Sequence, residues 1–374
     1  MIPRIGRLLA VPVGAIVLAL LVGAIVLIAS SPLVTGHFDV TLPLRTYLAL
    51  IQGSLLSFNA IIDTLVNAAP LILVGLAVGL GFKAGLFNIG GQGQFLMGGL
   101  AAAAAGAVVG GSSPILAVPV ALLAGVVAGA IYGFIPGFLR AYTGAHEVVT
   151  TIMLNYIAIQ IVGYVVAGPL RVAGASFARS PDVLNAALPV IINEGTGHPG
   201  HLGILIPVVV VPIIWWLLYR STIGFEIRTV GANPDAARYA GMKPRRLVVL
   251  AMTAGGLLAG LGGAIEILGR ERYLAAAYST NIGFDAITVA LLGRAHPIGI
   301  VFGGLLLGAM RAGAAAMQSQ AGIPIQMVDL LQGVILFFLA ADILVRRLFR
   351  IRAASTGVDE LQTVTRSYSG QTAP

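Results

Sequence analysis

The sequence contains no cysteine, which excludes disulfides and thiolate metal sites. Charge is nearly as scarce. Asp, Glu, Lys and Arg make up 10% of the 374 residues, where a soluble domain carries about 25%. Three catalytic signatures are also missing: the GxxxxGK[ST] phosphate loop, the GxSxG nucleophile elbow and the HExxH zinc helix. The chain therefore cannot bind ATP through a phosphate loop of its own, and no catalytic residues or enzymatic constellation can be named. The five His residues are scattered, and only His198 and His201 lie close together, which is a weak basis for a metal site.

Apolar residues fill the space left by charge. The chain is 58% hydrophobic, with a mean hydropathy of +0.96. One soluble core could not hide that much apolar surface, so the bilayer is the solvent. The net charge of +8 reads as the Lys/Arg excess of cytoplasmic loops, not as a nucleic-acid surface. The expectation is an all-α polytopic protein of the cell membrane, with one transmembrane domain over residues 1–345.

Stretches near the ~20 residues that a spanning helix needs recur at 8–30, 68–82, 85–109, 114–139, 148–168, 204–219, 247–268, 284–292, 298–316 and 327–345. That is about ten spans, the second and eighth being short. An amphipathic stretch runs over 44–67. Arg4 and Arg7 precede the first span as in a signal peptide, but the apolar run exceeds a signal core of about 7–15 residues. It is read as a span that stays.

With the N-terminus inside, Lys83, Arg140, the basic loop 220–246, Arg294 and the basic run 346–352 all fall on the cytoplasmic side, as the positive-inside rule requires. Both termini are then cytoplasmic, and the polar segment 169–203 is extracytoplasmic. Arg270 and Arg272 fall outside and fit less well. The tail 346–374 begins RRLFRIR, ends in Ser, Thr, Gly and Gln, and reads as disordered.

Glycine is abundant, at 49 residues. Gly125, Gly129, Gly133 and Gly137 form a stripe four apart down one span. Gly75/Gly79, Gly256/Gly260 and Gly304/Gly308 are shorter versions. Such faces let membrane helices approach backbone to backbone.

Four segments carry polar chemistry. The loop 220–246 holds six of the 22 Lys and Arg residues. Within it Asn233 suits an N-cap, Pro234 the first helical position and Asp235 the helix dipole. Gly241 suits the C-cap, and Pro244 prevents resumption. The product is a short helix with a small face of Ala236, Ala237 and Ala240. It either seats in a partner or is a capped surface helix.

The second segment, 85–94, reads GLFNIGGQGQ, with four glycines and three amides: Asn88, Gln92 and Gln94. Irregular backbone at membrane depth is tolerated only inside protein or against a cavity, and broken helices recur at transport sites. A helix-start loop at the surface is the alternative.

The third is HEVVTTIMLNYIA, 146–158, where Glu147, Thr151 and Asn155 share one helix face. Glu147 reads as a first-turn acid at the boundary, and Asn155 lies deeper as a candidate for the pathway. The fourth comprises Glu266, the run 281–285, Arg311 and Asp329. Arg311 and Asp329 could pair across helices.

Three stretches together resemble the membrane subunits of ABC importers of the branched-chain amino acid, ribose and nucleoside permease superfamily, nearest the nucleoside or simple-sugar branch. They are GLFNIGGQGQFLMGG (85–99), HEVVTTIMLNYIA (146–158) and GFDAITVALLGRAHPIG (283–299). GANPDAARYAGM (231–242) matches the place where that family docks its ATPase. The resemblance spans about residues 50–345, with two departures: Gln92 stands where the family often has an acid, and His146 where it often has Asn.

The resemblance implies about ten helices, a cytoplasmic coupling helix and alternating access. The implied partners are cytoplasmic ATPase subunits, a second permease (commonly a different paralogue) and an extracytoplasmic solute-binding lipoprotein. No cofactor is expected on this chain, and ATP belongs to the partner subunit. Asn88, Gln92, Gln94, Glu147 and Asn155 are the expected pathway residues. Gly231, Asn233, Ala236, Ala237, Tyr239, Ala240 and Gly241 are the expected coupling residues. An ion- or proton-coupled secondary transporter is the competing class. It needs more mid-span charges than this chain has.

Overall fold

The computed structural model describes residues 2–193, 199–278, 280–341, 345 and 348. The expected tail 346–374, apart from Leu348, and Glu194 and His198 of the polar segment lie outside these residues. The described chain is mostly helical. The helices are α1 (Ile2–Thr35), α2 (Leu42–Leu55), α3 (Phe58–Lys83), α4 (Gly91–Val109), α5 (Pro114–Phe138), α6 (Glu147–Ala167), α7 (Leu205–Arg220), α8 (Thr222–Ala232), α9 (Pro234–Tyr239), α10 (Pro244–Ile265), α11 (Ile282–Leu292), α12 (Pro297–Ala321) and α13 (Gln326–Ala340). Among the described residues, eight helices are long and apolar enough to cross a membrane, and α11 and α13 are shorter apolar helices. The expected short span 68–82 is the second half of α3. Its first half, together with α2, takes up the amphipathic stretch 44–67.

The bundle is built around α3, 83% buried along its span, while α6 at the rim is 22% buried. The Gly125–Gly137 stripe of α5 packs against α10. A Cβ on Gly260 would sit 2.5 Å from the Gly125 carbonyl oxygen and 2.8 Å from the Gly129 Cα. One on Gly133 would sit 2.8 Å from the Gly256 Cα. Helix α4 enters the same crossing, with Gly98 directly against Gly260. Three backbones therefore meet with no side chain between them, the geometry that small residues four apart make possible. Gly304 and Gly308 seat α12 on α3, the first receiving the Ile72 side chain and the second lying against Ala68. A second apolar cluster joins α1, α2, α12 and α13.

Segment 169–203 is a docked cap rather than a free polar loop. Val183 and Ala186 are fully buried, and Leu188 is nearly so. The backbone of Leu188 donates to the Leu268 carbonyl at 2.8 Å, and Ser180 is bonded both ways to Leu274. A two-residue antiparallel pairing joins β1 (Val190–Ile192) to β2 (Gly200–His201).

His201 is buried with its ring against Gly203 and Gly269. Burial first, then the nearby Arg272 and Arg270, push its pKa down to about 4. Arg270 itself is tied to Glu266 at 3.3 Å and to Asn67 at 3.1 Å. The expected pairing of Arg311 with Asp329 is not formed. Arg311 binds Asp285 at 2.5 Å, because α11 supplies a carboxylate against α12.

Candidate functional site: the broken segment and the α8–α9 hairpin

Helix α3 ends in a Schellman turn. Gly85 takes the left-handed conformation (φ +72°), its N–H donates to the Phe82 carbonyl, and the Leu86 N–H donates to Gly81. The chain stays irregular to Gly90 before α4 begins. Buried backbone groups need partners within the protein; Asn88 and Asn155 supply them here, while Gln92 reaches across to α11. Asn88 accepts from the Gly90 N–H at 3.0 Å and faces Gln94 amide to amide. Asn155 of α6 accepts from Gly93 at 2.8 Å and donates to the Ile89 carbonyl at 3.0 Å. Gln92 clamps the start of α11, donating to the Thr280 carbonyl at 2.7 Å and accepting from the Gly283 N–H at 2.8 Å. All four side chains are at most 3% exposed.

Four of the five expected pathway residues therefore come together, and in this conformation their hydrogen-bonding groups are spent on the protein. They staple α3, α4, α6 and α11 to one another. Glu147 stands apart. It is the first residue of α6, buried, and in ion contact with Arg140 at 3.1 Å across a π-helical turn over Leu139–Thr143. It is therefore a first-turn acid, the placement the helix dipole favours.

Lys83 and the 220–246 loop share one end of the bundle. The loop holds two short helices where the sequence pattern suggests one. The additional helix, α8, is capped by the Ser221 hydroxyl and anchored by Gly224, Ile227 and Val230. Its signal in the sequence is Ile227 and Val230, three apart, after a Ser. Arg228 lies over the Tyr219 ring at 5.1 Å.

Helix α9 follows as expected. The Asn233 side chain accepts from the N–H groups of Asp235 and Ala236, both at 3.0 Å. The end is a second Schellman turn, with Gly241 at φ +81° and Met242 donating to Ala237. Gly231 rests on the turn of Lys83–Gly85. Ala237 does not belong to an outward small face. It is fully buried against the chain's own core, because α9 folds back on α8 and α10. Ala236, Tyr239 and Ala240 point out, and Tyr239 is 95% exposed.

A sequence profile described as "branched-chain amino acid transport system / permease component" matches residues 60–340. The chain belongs to this permease family. It is accordingly a multi-pass membrane protein and a transport component. It is similar to the guanosine ABC transporter permease protein of Bacillus subtilis (strain 168), with 36% identity over 347 residues, 92% of this chain and 97% of that protein. A nucleoside ABC transporter permease protein of Lactococcus lactis subsp. cremoris is 34% identical over 91% of this chain and 92% of its own length. A glucose ABC transporter permease protein of Haloferax volcanii is 33% identical over 88% of this chain and 86% of its own length. No solved structure gives a significant match.

Proposed function

We propose that this permease is the translocating subunit of an ATP-driven importer of nucleosides. The observation that carries the reading is identity over nine-tenths of the chain to relatives named for guanosine and nucleosides. The membrane is crossed about ten times, with α11 and α13 as the short crossings and both termini in the cytoplasm; the gathering of Lys83, Arg140 and the 220–246 cations supports this orientation. A partner ATPase docks on the exposed side of α8 and α9. Movement passes from there into the stapled segment 85–94, and the solute cavity changes the side it faces. A second, paralogous permease completes the membrane core, and a solute-binding lipoprotein delivers nucleoside to the cap 169–203. ATP is bound and hydrolysed on the partner, so this chain carries no cofactor.

The test is reconstitution of the chain with its ATPase, partner permease and binding protein, reading ATP hydrolysis with and without guanosine. Stimulation by guanosine is expected. A complex stimulated by glucose alone would replace the nucleoside reading with a sugar, the second reading that the Haloferax volcanii relative favours.

A further inference from the structure

The exposed surface of the spanning helices is not uniform. Along the middle turns of α5 it is aliphatic, with Leu123, Val127 and Ile131 each more than half exposed, and on α7 Val208, Val209 and Ile213 repeat the pattern; the exposed rings of Phe134, Phe138 and Trp216 lie toward the far ends of these helices. These are faces suited to lipid. Helix α6 differs. Its buried side carries Thr151, Asn155, Ala158 and Val162. The opposite side carries Tyr156, Gln160 and Tyr164, spaced i, i+4 and i+8, all exposed, around an open groove of about 400 Å³ that Ile157 and Ile161 complete.

Gln160 lies seven residues from the end of the 21-residue helix, about 10 Å at 1.5 Å per residue. That depth is hydrocarbon. A carboxamide facing lipid there has no hydrogen-bond partner, and burying one unpaired costs several kcal/mol. Tyr156 sits near mid-helix, well away from the interfacial belt where Tyr is otherwise at home. The groove itself is lined by apolar atoms, and exposed Met153 shares the face, so ring faces and aliphatic side chains form a platform with Gln160 as the amide beside it.

We propose that the Tyr156–Gln160–Tyr164 face of α6 lines the solute pathway and reads the base of the transported nucleoside; the solute class rests on the function proposed above. An exposed tyrosine ring offers a stacking platform, which every nucleobase accepts. A carboxamide one helical turn away offers a paired donor and acceptor, the arrangement with which Gln recognises a base edge. Asn155 on the inner side of α6 holds the helix in place; the outer side meets the solute.

The absence of cysteine makes the test direct. Single-thiol variants Tyr156→Cys and Gln160→Cys, with Val127→Cys as the lipid-facing control, are reconstituted in the complete complex and exposed to a charged, membrane-impermeant thiol reagent. Only a thiolate reacts, and a thiol in hydrocarbon does not ionise. Both α6 variants are expected to react about tenfold or more faster than the control, and guanosine, but not glucose, is expected to slow them. Guanosine uptake by the unmodified complex is measured in parallel. If uptake is normal but both α6 thiols are as inert as the control, this face packs against lipid or a partner subunit and the inference is overturned alone. Protection by glucose instead of guanosine overturns base recognition. A complex that does not carry guanosine overturns the proposed substrate and this inference together.

Discussion

Gly231 and Gly85 meet backbone to backbone: a Cβ on Gly85 would lie 3.0 Å from the Gly231 Cα. The contact joins the last turn of α8 to the turn that separates α3 from the broken segment. The α8–α9 hairpin and the stapled amides are therefore mechanically adjacent.

Gly231→Val places a branched side chain where even a Cβ overlaps the Lys83 carbonyl. Overpacking of this kind costs about 1–3 kcal/mol. The expected result is a lower melting temperature and uptake that falls more than ATPase binding does. Unchanged uptake would show that this contact transmits nothing.

Tyr239 and Ala237 separate docking from folding. Tyr239→Ala removes a ring that is 95% exposed, so stability should change by less than about 0.5 kcal/mol. Association with the ATPase should weaken by about 2 kcal/mol, the size of an aromatic hot spot. Ala237→Arg drives a charge into a fully buried site and should lower the folded yield instead. Quantitative pull-down and thermal melting distinguish the two. An ATPase held equally well by Tyr239→Ala would remove the outer face of α9 from the dock.

Asn155→Leu strands the Gly93 N–H and the Ile89 carbonyl, at about 1–3 kcal/mol for each buried group left unpaired. Melting should fall, and amide exchange at Gly93 should quicken. Exchange at the wild-type rate would mean the staple is dispensable.

His201 sets an acid limit on the cap. Its folded pKa is about 4 against 6.5 for the free side chain. Below 6.5 the unfolded chain binds a proton that the folded chain refuses, so stability is complete above pH 6.5 and declines as pH falls toward 4. Limited proteolysis of the cap should quicken between pH 7.5 and 5, and His201→Gln should flatten that dependence. A wild-type cap equally resistant at both pH values would rule out His201 as its weak point.

What the sequence revealed depended on how far each residue's partner lies along the chain. The caps of α9 were readable because Asn233 and Gly241 act on groups within a few residues. The glycine stripe was readable because its period is a property of one helix. The amides of 85–94 stood out as polar interruptions, yet the partners of Gln92 are Thr280 and Gly283. No local pattern names a residue that far away, so what looked like groups free to meet a solute are groups already engaged. Arg311 took Asp285 rather than Asp329 for the same reason, since helix adjacency decided it. Helix α8 went unseen because two of its anchors, Gly224 and Gly231, pack by lacking a side chain. The polar composition of 169–203 hid three apolar residues that dock it.

The crossing of α4, α5 and α10 has a genetic consequence. Where Gly98, Gly129 and Gly260 meet, the contact surface is the main chain itself. No amino acid is smaller than glycine, so every missense change there adds atoms to a space that has none to spare. Mutation at an ordinary core position can err toward a cavity or toward a clash, and a neighbour can compensate for either. At this crossing the error has one sign only, and no second-site shrinkage is available, because the opposing surface is already bare.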